Sequence, residues 1–231
     1  MIDGRRVLAV VPARGGSKGV PLKNIRPVRG TPLIALVAPV VAQVPAIDRT
    51  VVSTDHAEIA RVAGEAGLDV PFLRPPDLSG DTIGDWDVLV HALGEMERLD
   101  GHTYDVVLML QPTCPLRRPE HVARTLEHLV RDGLDSVWTV SATDLKAHPL
   151  KQLTIDGGRL DYFDPRGRGI VARQQLTPVY HRNGAAYAFS RACLLEQKSI
   201  LGAQAGAVVI DDPLVNIDTL DDFDALERLL P

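Results

Sequence analysis

The sequence predicts an α/β domain of three layers, with a mostly parallel sheet between helices, on three observations. Short apolar runs alternate with segments of helical periodicity from Val7 to Val140, the pattern of strands joined by crossover helices. The first run, Val7-Leu8-Ala9-Val10-Val11, has no polar alternation, as a strand covered on both faces requires. Arg14, Asp55, Gln111 and Asp218 each end or directly follow an expected strand, where an open α/β sheet gathers its ligand site. A chain of 231 residues, 45% hydrophobic, suits a single domain over 1–231. With aromatics at 4%, its core must be built from Val, Leu, Ile and Ala.

Each element has its own signal. Pro12 stops the first strand. Leu33 to Val44 is apolar and preceded by Pro32, a residue that suits a helix start. Thr50 to Thr54 reads as a strand, Ala57 to Ala66 as a short helix closed by Gly67, and Val70 to Leu73 as a further extended piece. Asp85 to Leu99 carries Val88, Leu89, Ala92, Leu93 and Met96 at helical spacing. Asp105 to Leu110 is a strand, Glu120 to Arg131 a helix and Ser136 to Val140 a strand. The alternation stops near Thr143. Residues 145–178 are polar and rich in Gly and Pro, too long for a structureless loop in a compact domain, and read as an excursion from the sheet. Gly184 to Phe189 and Ala207 to Ile210 resume as strands, and Leu220 to Leu230 closes the chain as an amphipathic helix.

The chemistry begins in the loop after the first strand, Ala13-Arg14-Gly15-Gly16-Ser17-Lys18-Gly19, which continues to Lys23 and Asn24. Glycines let backbone N–H groups turn toward a ligand, successive N–H groups make an anion-binding concavity, and the basic side chains add charge around it. The spacing is neither that of a P-loop nor that of a dinucleotide fingerprint. The competing reading is a solvated surface loop. Between Gly4 and Ile47, however, there are seven Arg or Lys and no Asp or Glu, in a chain of net charge −5. An acidic protein with such a carboxylate-free segment is suited to hold a polyanion there.

Composition excludes other classes. The net charge and the absence of basic-aromatic interleaving speak against nucleic acid, and no apolar run reaches membrane-spanning length. Cys114 and Cys193 form no disulfide framework, and the N-terminal residues carry no signal-type apolar run, so a cytoplasmic location is expected.

The block Pro12-Ala13-Arg14-Gly15-Gly16-Ser17-Lys18-Gly19, followed by Pro21, Lys23 and Asn24, resembles the nucleotide-binding signature of the CMP-sialic acid synthetases (acylneuraminate cytidylyltransferases). The resemblance continues, in that family's order, through Val52 to Asp55, Leu73 to Pro75, Gly80 to Thr82, Leu110 to Arg117, Arg173 to Gln175, Arg182 to Ala185 and Ile217 to Thr219. It implies a Rossmann-like nucleotidyltransferase that moves CMP from CTP to the anomeric hydroxyl of a nonulosonic, sialic-type acid and releases pyrophosphate. Transfer to another acid, a 3-deoxy-octulosonic acid or a phosphonate, or a homologue that has lost catalysis, are the alternatives.

By that resemblance, Ala13, Arg14, Gly15, Gly16, Lys23 and Asn24 bind the nucleotide, with Arg14, Lys18 and Lys23 as a triphosphate clamp. Arg74, Gly80, Asp81 and Thr82 approach the cytosine or ribose. A serine stands at the position of Gly80 in one family version, which leaves a backbone contact here. The plain reading of Asp81 and Thr82 is a helix cap, and that of Lys23 and Asn24 a turn. Gln111 contacts the acceptor. Lys151 and Arg173 match positions that hold its carboxylate or the phosphates, unless they are merely solvated. Residues 145–178 build a dimerisation arm of a homodimer. Asp218 is the expected Mg²⁺ ligand, with Asn216 where the family has a second Asp, or else Asn216 only bonds neighbouring backbone. Cys114, where serine is common, reads as packing.

Overall fold

The computed structural model describes residues 1–229. The chain runs through β1 (Val7–Pro12), a small hairpin of β2 (Pro27–Val28) and β3 (Thr31–Pro32), α1 (Ala38–Val41), β4 (Arg49–Ser53), α2 (Ala57–Glu65), α3 (Asp85–Asp100), β5 (Val106–Met109), α4 (Pro119–Arg131) and β6 (Ser136–Ala142). It continues through β7 (Leu153–Asp156), β8 (Arg159–Tyr162), β9 (Tyr180–Ser190), α5 (Arg191–Leu195), β10 (Ala205–Val209) and α6 (Leu220–Leu229). The expected closing helix agrees with α6; its last residue, Leu230, and Pro231 lie outside the described residues.

Among the described residues the main sheet has six strands in the order β10-β6-β9-β5-β1-β4. β1 pairs parallel with β4 and β5, and β6 parallel with β10. β9 is antiparallel to both neighbours. The excursion leaves from the carboxyl end of β6 and returns at that same end, so the next strand must run the other way; no crossover helix intervenes.

The three layers follow from the pleat of β1. Val7, Ala9 and Val11 face a core completed by Ile59 and Ala63 of α2 and Val122, Leu126 and Leu129 of α4. Leu8 and Val10 face the opposite core, with Leu89, Leu93 and Met96 of α3 and Phe189 of β9. A third cluster holds Val20 after the Gly-rich loop against Ile217, Phe223 and Leu226, so α6 and the strand-like run before it are fastened to that loop.

Two expectations are corrected. Val70 to Leu73 is not a strand: pairing shrinks to one bridge between Asp69 and Val51, and Pro71 has no N–H to extend it. Leu33 to Val44 is not one helix. A 3₁₀ segment, Leu33–Val37, precedes the four residues of α1, because Pro39 lacks the amide a continuous helix needs and fits only where a new helix begins.

Residues 145–178 leave the sheet as expected. They contain the β7–β8 hairpin and several 3₁₀ turns, and every residue of β7 and β8 is exposed. No helix among the described residues is long and apolar enough to cross a membrane.

Candidate active site

A cavity of about 480 Å³ opens at the carboxyl ends of β1 and β5, within the size range of small-molecule sites. Arg14, Lys18, Lys23 and Asn24 line one wall, Arg74, Gly80, Asp81 and Asp85 the second, and Gln111 and Asp218 a third. The elements are thus brought together by the sheet, as the strand-end positions require.

The Gly-rich loop is held by several contacts. Asp55, just beyond β4, accepts the Gly15 N–H at 2.9 Å. Asn24 is buried and donates through Nδ2 to the Arg14 carbonyl at 3.1 Å, so its amide braces the loop. Leu22 takes a left-handed conformation (φ 48°) and turns the chain so that Lys23 points inward. Lys23 Nζ donates to Ile217 O at 2.6 Å and to Asp218 Oδ1 at 2.8 Å. At Gly19 a Cβ would come within 2.4 Å of the Asp218 carbonyl oxygen; only glycine permits the two segments to meet. At Gly15 a Cβ would press on the His56 ring at 2.8 Å.

Across the cavity, Arg14 Nη1 donates to Gly80 O at 3.1 Å and lies 3.0 Å from Asp81 Oδ1. Lys18 Nζ lies 2.6 Å from Asp81 Oδ2. The Lys18 hydrogen bond, with Arg14 nearby, holds the Asp81 carboxyl below its ordinary pKa. Arg74 is buried and donates through Nε to Ser79 Oγ at 3.2 Å, with Nη2 3.9 Å from Asp55 Oδ1. Burial pulls its pKa down, and Asp55 opposes the fall.

Gln111 sits where β5 ends, opposite a bulge in β9. Between the pairs Trp138↔Tyr187 and Val140↔Arg182 the register shifts. Thr139 Oγ1 fixes the bulge by accepting from Ala186 N–H at 2.9 Å and donating to Asn183 Oδ1 at 2.7 Å. Gly184 (φ 77°) stands at its tip, and a Cβ there would lie 2.9 Å from Gln111 Oε1, 3.4 Å from Cys114 Cβ and 3.6 Å from Asn216 Oδ1. Bulges next to active sites commonly re-aim side chains in this way.

Beyond Gly184 lies a second cavity of about 330 Å³, lined by Ser141, His181, Arg182, Asn183, Asp211, Asp212 and Asn216 among others. Asn216 therefore faces this cavity and Asp218 the first, with the buried Ile217 between them. Among the described residues no group of three or more His, Cys, Asp or Glu is arranged to hold a metal ion. Asp218 supplies one carboxylate to the first cavity, and Mg²⁺ takes one or two protein ligands and completes its shell from substrate phosphates and water; Asn216, expected as the second ligand, lines the other cavity.

Other expected residues lie elsewhere. Ala13 is in the core, and Gly15, Gly16 and Thr82 are absent from the lining of either cavity. Lys151 and Arg173 sit exposed on the excursion and line neither cavity of their own chain. Cys114 is fully buried, and burial raises its thiol pKa, which agrees with packing and not with a nucleophile.

Two residues stand in the blocks that carry the resemblance but received no role from the sequence. Arg117 is buried beneath the Gln111 turn, with Nε donating to Cys114 O at 3.2 Å and Nη2 to Gln111 O; burial draws its pKa down. Its partners are backbone carbonyls, which no residue pattern reveals. The other is Arg182, whose guanidinium lies 4.6 Å from the ring centres of both Trp138 and Tyr187. Only the strand register shows that the two rings meet.

Comparison with known proteins gives the chain a family. A family profile described as Cytidylyltransferase matches residues 8–229. The CMP-N,N'-diacetyllegionaminic acid synthase of Legionella pneumophila is 33% identical over 228 residues, covering 97% of this chain and 96% of that protein. The N-acylneuraminate cytidylyltransferase of Streptococcus agalactiae serotype V is 30% identical over 221 residues, which are 94% of this chain but only 51% of the streptococcal protein. A solved structure of CMP:2-keto-3-deoxy-manno-octonic acid synthetase complexed with CTP superposes with a TM-score of 0.72 at 20% identity, covering 97% of this chain and 98% of that one, and so shares the fold. With the profile match running from β1 to α6 and a relative aligned along nearly its whole length, the chain belongs to the cytidylyltransferase family.

Proposed function

We propose that the protein transfers CMP from CTP to the anomeric hydroxyl of a nonulosonic acid and releases pyrophosphate. The observation that carries the reading is the cavity in which Arg14, Lys18 and Lys23 face Gln111 across the ends of β1 and β5, in a member of the cytidylyltransferase family whose relatives include an acid synthase at 33% identity. Arg14 and Lys18 take the β- and γ-phosphates. Charge grows on the departing pyrophosphate, so fixed cations stabilise the transition state more than the ground state. Lys23, anchored to Ile217 and Asp218, sits nearer the α-phosphate. The acceptor lies on the Gln111 side, because in-line displacement puts nucleophile and leaving group on opposite sides of phosphorus.

Mg²⁺ belongs to this reading: Asp218, on the first cavity, would hold an ion that neutralises phosphate charge and polarises the α-phosphate. So does a homodimer. The hairpin β7–β8 exposes Leu153, Ile155, Leu160 and Tyr162, and a lone two-stranded sheet is marginal in water without a covering surface. A second copy supplies one, and the arm then brings Lys151 and Arg173 toward the partner's acceptor. Pyrophosphate release measured with CTP over a panel of 2-keto-3-deoxy sugar acids tests the transfer. Release with a nonulosonic acid is expected; release with none, or faster release with ATP or GTP, overturns it.

A further inference from the structure

Arg117 is only 4% exposed, and its guanidinium has no counter-ion. Burial pulls its pKa down, and no carboxylate is among the groups that push it back up. Among the described residues its Nη1 has no hydrogen-bond partner at all. A cation held in this way is costly, because burial strips its water and supplies no opposite charge. An unbranched apolar side chain such as Met would fill the same space without that cost. What arginine adds is a rigid fork of N–H donors.

The fork is not needed to satisfy the carbonyls it meets. Gln111 O already accepts the Cys114 N–H at 3.2 Å, and Cys114 O the Arg117 N–H at 3.4 Å. Arg117 Nη2 and Nε add second bonds to the same two oxygens. The side chain thus ties together two successive turns of a segment that Pro112 and Pro115 keep from forming a regular helix. This segment carries Gln111, Pro112 and Thr113 to the first cavity, and Thr113 O accepts the Ile217 N–H at 2.8 Å, next to Asp218. On its other flank a Cβ at Gly184 would lie 2.9 Å from Gln111 Oε1. Among the described residues no hydrogen bond holds the Gln111 side-chain amide itself. The amide is therefore aimed by the backbone beneath it, and Arg117 is what ties that backbone.

We propose that Arg117 is a positioning residue for the acceptor: by bonding the Gln111 and Cys114 carbonyls from beneath, it locks the turn that points the Gln111 amide at the acceptor acid. This role rests on the transfer proposed above and adds the buried group that orients the acceptor contact.

Steady-state kinetics of Arg117→Met and Arg117→Lys, each alone and combined with Gln111→Ala, test it with CTP and the best acid from the pyrophosphate panel. Hydrogen bonds from a charged donor are worth about tenfold or more. The expected result is a rise of that size in the acceptor KM for Arg117→Met, a smaller rise for Arg117→Lys, and an unchanged KM for CTP. Gln111→Ala alone should raise the acceptor KM at least as far. In that background Arg117→Met should add no more than about twofold, since groups that act as one unit are not additive. Thermal stabilisation by CTP, equal to that of the unaltered protein, shows that the variants are folded. Effects that multiply would mean that Arg117 acts independently of Gln111. Equal rises in both KM values, or loss of folding in both Arg117 variants, would mean that it only maintains the fold. Each of these outcomes overturns the proposal, as does no rise at all. If no acid in the panel supports pyrophosphate release by the unaltered protein, the transfer itself falls, whatever the variants do.

Discussion

Lys18 Nζ lies 2.6 Å from Asp81 Oδ2 across the mouth of the first cavity, so a carboxylate of the chain itself occupies a cation that the proposed function assigns to the triphosphate. Arg14 takes the other oxygen of the same carboxylate at 3.0 Å. A triphosphate must therefore displace Asp81 or share its cations. Exposed pairs of this kind are weak, so the competition is modest. Asp81→Asn is expected to lower the KM for CTP by no more than about fivefold, measured at low ionic strength, with the difference fading as salt is added. The pH dependence has a definite sign. The Asp81 pKa is depressed by Lys18 and Arg14, so the brace is complete above the ordinary carboxylate range and disappears only as pH falls through the lowered value. Across neutral pH it is constant. An increase in KM for Asp81→Asn would instead make Asp81 a ligand of the nucleotide.

On the proposed transfer, Arg14 bears directly on the chemistry. Its guanidinium is placed by β1 and lies beside Gly80 and Asp81. Arg14→Ala is expected to reduce kcat/KM by roughly a hundredfold, as loss of a charge contact made chiefly in the transition state does, with little change in melting temperature. Kinetics close to those of the unaltered protein would leave the loop a structural element.

Gly19 gives a prediction about stability. A Cβ there meets the Asp218 carbonyl at 2.4 Å, and backbone cannot yield as a side chain does. Gly19→Ala is expected to cost about 1–3 kcal/mol through overpacking, seen as a lower denaturation midpoint, and to weaken CTP binding because Lys23 and Asp218 are pushed apart. Gly16→Ala, with nothing near its Cβ position, should leave the midpoint unchanged.

The fold was legible where the chain repeats one rule. β1, β4 and β5 are short apolar runs buried on both faces, and α3 and α4 carry their core residues at helical spacing, so composition alone marks them. β9 was visible only from Gly184 to Phe189 and not in its direction, because direction follows from where residues 145–178 return to the sheet. The site was legible where residue type carries the chemistry, as at Arg14, Lys18, Lys23 and Gln111. It was hidden where backbone groups or distant pairing decide. Arg117 serves carbonyls, and Arg182 is defined by the meeting of Trp138, Tyr187 and Asp85. Asn24 was read as a nucleotide contact, yet its amide also braces the Arg14 carbonyl.

Asp218 and Asn216 invite a metal titration. Mg²⁺ affinity rises with the charge of its ligand set. If Asn216 reaches the ion, Asn216→Asp lowers the Mg²⁺ concentration for half-maximal activity; Asp218→Ala is expected to remove nearly all turnover. An unchanged titration in Asn216→Asp, with Asp218→Ala inactive, would leave Asp218 as the ligand and Asn216 outside the site. An active Asp218→Ala would remove the metal from this end of the chain altogether.

The arm offers the sharpest test of assembly. Lys151 and Arg173 line neither cavity of their own chain, while Arg14 lines the first. If the arm serves the partner's site, an Arg14→Ala subunit and an Arg173→Ala subunit are defective in different places. In a mixed dimer one site then combines both lesions and the other combines neither. Mixing the two inactive variants in equal amounts, with time for subunits to exchange, should restore about a quarter of full activity, since half of the dimers are mixed and each has one intact site. Light scattering should report a dimer at micromolar concentration. Were the arm to act on its own chain, each subunit would carry its own lesion wherever it went, and mixing would restore nothing. A monomer with full activity would show that Lys151 and Arg173 are solvated basic residues and that the apolar face of the hairpin has another purpose.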